Sequence, residues 1–117
     1  MSMKNDAYPS TLVQILQFVD SSITKNELSL TMVADEFNVS PSYISRLFSE
    51  GFGTNYHRYV KEKRMAIAME LLCRDMDISA IAIAAGYDCD VTFRRAFKHY
   101  MGVSPSEYRK HYKVRHA

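Results

Sequence analysis

Tryptophan is absent, and the 117 residues include only two cysteines, three prolines and four glycines. Two thiols, Cys73 and Cys89, cannot build a disulfide framework, so a reducing compartment is expected. With so few turn-formers and little strand-like alternation, a β-sandwich or barrel is excluded. Lys, Arg, Asp or Glu interrupts every apolar stretch well short of the roughly 18 residues a membrane span needs. The start, Met1-Ser2-Met3-Lys4-Asn5-Asp6, lacks the apolar core of a signal peptide, so a cytoplasmic location is expected. No Ser/His/Asp constellation, carboxylate pair or phosphate-cradling glycine loop can be assembled, which argues against an enzyme. His57, His99, His111 and His116 stand at no ligand-like spacing with either cysteine, so neither a metal nor a cofactor is expected.

Apolar residues make up 47% and charged residues 24% of the chain, the balance of a folded protein. The length suits one domain or two very small helical units. Formal charge is +2 but unevenly spread: residues 1–53 carry −3 and residues 54–117 carry +5. Basic charge gathered in one half suggests a surface that faces a polyanion.

Apolar spacing follows the helical period almost throughout, so the chain reads as all-α with seven helices. The first is expected from 9 or 10 to 22, with Leu12, Ile15, Leu16 and Val19 as its stripe. The second begins after Ser29, carries Leu30, Val33, Ala34 and Phe37, and stops near Asn38. Ser40-Pro41 then opens a third over 41–50, with Ser as N-cap and Pro in the first turn. A long fourth helix is predicted over 55–74, capped by Thr54 and buried along Tyr56, Tyr59, Val60, Ala68, Leu71 and Leu72. Asp77 is expected to cap a short fifth helix over 78–85, which Gly86 ends in a left-handed conformation. A sixth spans 90–100, and Ser104-Pro105-Ser106-Glu107 opens the seventh with the spacing of a capping box.

Residues 30–61 and 78–110 repeat. At an offset of 48, Leu30, Val33 and Ala34 match Ile78, Ile81 and Ala82; after one extra turn residue, Arg46, Phe48, Gly53, Tyr59 and Lys61 match Arg95, Phe97, Gly102, Tyr108 and Lys110. Each copy is a short helix, a tight turn and a second helix, the arrangement that presents a recognition helix to DNA. In the first copy Ile44, Leu47 and Phe48 point inward and leave Ser42, Tyr43, Ser45, Arg46 and Ser49 outside. In the second, Phe93, Ala96, Phe97 and Tyr100 point inward and leave Asp90, Val91, Arg94, Arg95 and Lys98 outside. Arg reads guanine edges, Ser donates or accepts, and Val meets a thymine methyl, so these faces suit a groove. Tyr43 suits half-buried packing and DNA contact equally, and Arg94 suits a base or a phosphate. A connecting helix of roughly 20 residues would be about 30 Å long, close to the ~34 Å between successive major grooves on one face of B-DNA.

These residues resemble the DNA-binding domain of the AraC/XylS family of bacterial transcription regulators. The resemblance covers about residues 9–112. Its most specific stretch is Ile81-Ala82, Gly86-Tyr87, Phe93-Arg94-Arg95-Ala96-Phe97-Lys98 and Gly102-Val103-Ser104-Pro105-Ser106-Glu107-Tyr108-Arg109. The first copy is similar through Val33-Ala34, Ser40, Arg46-Leu47-Phe48, Gly53, Tyr59-Val60, Arg64-Met65, Ala68 and Leu71-Leu72. The resemblance implies two recognition helices in adjacent major grooves of double-stranded DNA, contact with RNA polymerase, and a nucleoid-associated location. It carries base readers onto Ser42, Ser45 and Arg46, and onto Asp90, Val91, Arg94 and Arg95. Backbone contacts fall on Ser40, Arg58, Lys61, Lys98 and Arg109, and the amide-rich start of the last helix at Ser104 could face another phosphate. Asn55 stands where the first copy often has proline, and Cys89 where the second recognition helix usually has its cap, so Asp88 or Asp90 is expected to substitute. Asp90 repels phosphate unless it accepts from a cytosine amine.

The expected organisation is an N-terminal tail (1–8), a first helix-turn-helix unit (9–53), a linker helix (54–74), a second unit (75–112) and a C-terminal tail (113–117). A small-molecule effector is expected only if a further domain exists outside this chain. The competing reading is a helical protein-interaction module that contacts the transcription machinery without reading DNA.

Overall fold

The computed structural model describes the backbone of residues 2–116 and the side chains of residues 11–112. Seven helices follow one another: α1 (Ser2–Ser21), α2 (Leu30–Glu36), α3 (Pro41–Phe52), α4 (Tyr56–Leu72), α5 (Ile78–Ala84), α6 (Asp90–Met101) and α7 (Pro105–His116). The all-α expectation holds, with no strand among the described residues. None of these helices is long and apolar enough to cross a membrane. Two segments expected as tails are helical: α1 begins at Ser2, ahead of Pro9, and α7 runs on to His116. Pro9 thus lies inside α1 rather than at its start, a position where a proline removes one backbone donor and crowds the preceding turn.

The chain divides into two compact units within α4 rather than at its ends: Met1–Ile23 with Glu27–Glu62, and Thr24–Asn26 with Lys63–Ala117. In the first unit Ile15 and Val19 of α1, Val33 and Ala34 of α2, and Ile44, Leu47 and Phe48 of α3 are buried. Phe48 is the hub of an aromatic cluster, with the Tyr59 ring 5.3 Å away, Tyr56 at 5.7 Å and Phe52 at 6.1 Å. Gly51 lies inside α3 rather than ending it. A Cβ there would overlap Leu12 Cδ2, so glycine lets α3 approach α1 closely.

The second unit repeats this construction around Phe93 and Phe97, which pack with Met65, Ala68, Leu72, Ile81, Ala82 and Ala85. Phe97 meets Tyr108 edge-on at 5.7 Å, the counterpart of Phe48 and Tyr59. Met65, absent from the expected stripe of α4, is fully buried, whereas Tyr59 and Leu71 are only half-buried. Tyr100, expected inside, is 40% exposed. The buried line of α6 runs 93, 97, 101 in steps of four, so Met101 packs on the core in its place.

The turn of each helix-turn-helix closes with the same bond: Val39 N–H donates to Ala34 O, and Tyr87 N–H to Ala82 O, both at 3.0 Å. This bond needs a left-handed residue in the turn. Asn38 supplies it at φ 59° and Gly86 at φ 96°, positions related by the repeat offset of 48.

Candidate nucleic-acid interface

Ser40 starts α3 as expected: its Oγ accepts the Tyr43 N–H at 3.1 Å, with Pro41 in the first turn. Four residues later the helix has buried Ile44, so Ser42 and Arg46 are exposed and Ser45 half-buried. The guanidinium of Arg46 lies 5.5 Å from the centroid of the half-buried Tyr43 ring, one helical step behind it. Tyr43 therefore packs on the protein and supports Arg46 at once. The i, i+3 spacing of an aromatic and an arginine was the signal for this pair.

The second recognition helix starts differently. Cys89 occupies the N-cap with extended backbone but makes no capping bond, its Sγ lying 3.3 Å from Thr92 Oγ1. What ties the start of α6 down is Asp90. Ser79 Oγ of α5 donates to Asp90 Oδ2 at 3.1 Å, and Arg94 Nε faces the same oxygen at 3.7 Å. This carboxylate, carried over as a base reader, is engaged with two partners within the protein. Val91 is 59% exposed, and Arg94, Arg95 and Lys98 are exposed beside it. Each recognition helix thus exposes arginine while burying phenylalanine, Phe48 in α3 and Phe93 and Phe97 in α6.

The residues assigned to the phosphate backbone separate into two groups. Arg58 is exposed and pairs with Glu62 at 3.1 Å, an i, i+4 bridge weak enough to yield to a phosphate. Lys61 is half-buried, and Lys98 is exposed. Ser104 and Arg109 serve the fold. Ser104 N–H donates to Glu107 Oε1 at 3.0 Å while Glu107 N–H donates to Ser104 Oγ at 3.2 Å, so the capping box occupies both groups of Ser104. The Ser104 amide, then its hydroxyl, hold the Glu107 carboxyl below its ordinary range, helped by Lys98 and His111. Arg109 is half-buried, and its guanidinium donates to the carbonyls of Leu72 and Met76, which α4 leaves unpaired at its end.

Two further caps differ from expectation. Asn55, not Thr54, caps α4: its Oδ1 accepts the Arg58 N–H at 2.8 Å, while the Thr54 hydroxyl is buried without a partner. Asp77 stands at the N-cap of α5 but its side chain makes no capping bond. Tyr59 donates its hydroxyl proton to Asp20 at 2.7 Å, and burial, then this bond and the Asp20 charge, push its pKa up. Tyr87, beside the turn, is likewise raised by burial against the opposing pull of Arg64, whose guanidinium lies 5.7 Å from its ring. Arg64 also donates to the Lys25 carbonyl at 2.8 Å. Among the described residues no group of His, Cys, Asp and Glu could hold a metal ion.

A family model for a helix-turn-helix domain matches residues 33–111, well over half the chain. The chain belongs to the AraC-type helix-turn-helix family. This AraC-type chain is 36% identical to the C-terminal domain of AraT, a response regulator from Geobacillus stearothermophilus. The two superpose with a TM-score of 0.81 over 85% of this chain and 83% of that one. It is 32% identical over 104 residues to the regulatory protein PocR of Salmonella typhimurium, a match covering 88% of this chain and 34% of PocR. The chain thus spans about a third of that relative's length. The DNA-binding domain of AdpA, solved in complex with a target DNA, has the same fold at a TM-score of 0.80. It is 22% identical, over 89% of this chain and 94% of that one. These AraC-type relatives are regulators, not enzymes.

Proposed function

We propose that this AraC-type chain binds double-stranded DNA sequence-specifically in bacterial transcription regulation, with α3 and α6 entering adjacent major grooves. The observation that carries the reading is the division of each recognition helix into a buried phenylalanine face and an exposed face bearing Arg46, or Arg94 and Arg95. Arginine with short side chains on an exposed helix face matches guanine edges and the phosphates around them. Ser42, Ser45 and Arg46 read bases from α3; Val91, Arg94 and Arg95 read them from α6. Ser40, Arg58, Lys61 and Lys98 lie at phosphates, which position the helices without reading sequence. The AdpA domain, captured on a target DNA, supports this use of the shared fold.

In that role the chain works beside RNA polymerase, and any small-molecule effector acts through a further domain, as the greater length of PocR allows. The test is selection of bound sequences from a random duplex pool, followed by a salt titration and a hydroxyl-radical footprint. Six to ten phosphate contacts predict a log–log slope of roughly −5 to −9. Two protected stretches about one helical turn apart are expected. Absence of duplex binding even at low salt overturns the reading and leaves a protein-interaction module.

A further inference from the structure

Asp90 is the one acid on α6, whose exposed residues include Val91, Thr92, Arg94, Arg95 and Lys98. Turned toward a phosphate backbone, a carboxylate repels. Its surroundings give it different work. One oxygen, Oδ2, accepts from Ser79 Oγ on α5 at 3.1 Å and lies 3.7 Å from Arg94 Nε, one turn along α6. We infer that Asp90 is a positioning residue that acts through Arg94: tethered by Ser79, its carboxylate holds the guanidinium at Nε and leaves the two terminal nitrogens as a fork for a guanine edge. This rests on the reading of α6 as a groove-facing helix.

The chemistry follows from which nitrogen is held. A guanidinium has three edges, and the one formed by the two terminal nitrogens offers parallel N–H groups that match guanine O6 and N7. Pairing at Nε leaves that edge uncommitted and narrows the rotamers of a long side chain. Released from Asp90, Arg94 reaches any nearby phosphate, a contact that adds affinity without sequence information. The Arg94 and Asp90 side chains are 44% and 37% exposed, and exposed i, i+4 pairs contribute little to folding. The effect of the pair therefore belongs in selectivity, not in the melting temperature.

The experiment compares the parent chain with Asp90→Asn, Arg94→Ala and the double variant. Fluorescence anisotropy reads binding to a duplex selected from a random pool, to its single-base variants and to an unrelated duplex. Asp90→Asn is expected to lower discrimination at one guanine position by about threefold to tenfold, part of what a bidentate contact supplies. It should also tighten binding to the unrelated duplex. In the Arg94→Ala background, Asp90→Asn should leave discrimination unchanged, since a residue acting through another has nothing left to act on.

An equal loss of discrimination with Arg94 absent would mean that Asp90 reads a base itself, and overturns the inference. A uniform gain across all duplexes with discrimination intact would mark a bare charge effect and overturn it too. Ser79→Ala, which leaves both charges in place, should reproduce the loss in smaller degree. Nuclear spin relaxation at the Arg94 Nε–H group supplies a readout free of DNA: ordered in the parent, mobile in Asp90→Asn. Equal mobility in the two overturns this inference alone. A parent chain that binds no duplex at low salt overturns the DNA reading itself, and the inference falls with it.

Discussion

Truncating Arg46 tests the base-reading role proposed for the first recognition helix. Its guanidinium rests 5.5 Å from the Tyr43 centroid, so the ring restricts the rotamers from which it approaches a base. A bidentate contact with guanine contributes about 1–3 kcal/mol of discrimination, roughly five- to 150-fold in affinity. Arg46→Ala should lose that amount at the base pair it reads and little at the others. Tyr43→Leu leaves the guanidinium but removes its platform; an exposed cation–π contact is worth about 0.5–1 kcal/mol, so the expected loss is about two- to fivefold. Anisotropy titrations on a selected duplex and its single-base variants, at two salt concentrations, measure both. If Arg46→Ala weakens all variants equally and lowers the salt slope by about one, Arg46 contacts a phosphate and the base-reading role is refuted. If the effects of Tyr43→Leu and Arg46→Ala simply add in the double variant, the ring does not act through the guanidinium.

Three further outcomes separate structural from DNA-facing residues. Arg109→Gln should cost about 2–3 kcal/mol of stability in urea unfolding, since the charged donor to the Leu72 and Met76 carbonyls is lost; an unchanged midpoint with a shallower salt slope would restore a phosphate role. The Glu107 pKa is depressed, so its contribution is present above its unfolded value near 4.5 and lost as pH falls through the lower folded value. Melting curves of the parent and Glu107→Gln should therefore converge on acidification, and a constant gap would refute the capping role. Gly86→Ala should destabilise by about 1–2 kcal/mol because φ is 96° there, whereas Asn38→Gly should stay within about 1 kcal/mol of the parent; equal effects on thermal unfolding would refute the shared-turn account.

The architecture was legible because it is written in local periodicity. Ile15, Val19, Ile44, Leu47, Phe48, Phe93 and Phe97 recur at helical spacing, and all are buried. The repeat made the same point twice, and its offsets located the turn, the second helix and the paired Phe and Tyr residues. Errors arose where several neighbouring residues could serve one local need. Asn55 rather than Thr54 reaches the free amide of α4, and Met101 rather than Tyr100 continues the buried line of α6. Either choice satisfies the pattern, and only the packed geometry decides.

The site was harder to read because a long charged side chain can take partners that no local pattern encodes. Arg109 reaches carbonyls 37 and 33 residues earlier in the chain, so its place beside the seventh helix suggested an outward cation while burial turned it inward. Asp90 finds Ser79 eleven residues back, across the turn.

The same contrast separates the two recognition helices, which share a plan but not a way of holding their arginines. In α3 a hydroxyl caps the helix and an aromatic ring supports Arg46, a contact that orients the guanidinium without neutralising it. In α6 the cap is a cysteine that makes no bond, and a carboxylate both ties the helix start to α5 and offsets the charge of Arg94. In the proposed DNA complex the ring would leave Arg46 its full attraction for phosphate as well as base, whereas Asp90 would weaken that attraction at Arg94. Arg95 has no such partner among the described residues. If both helices enter DNA as proposed, α3 and Arg95 are expected to supply more of the encounter, and Arg94 more of the choice between sequences.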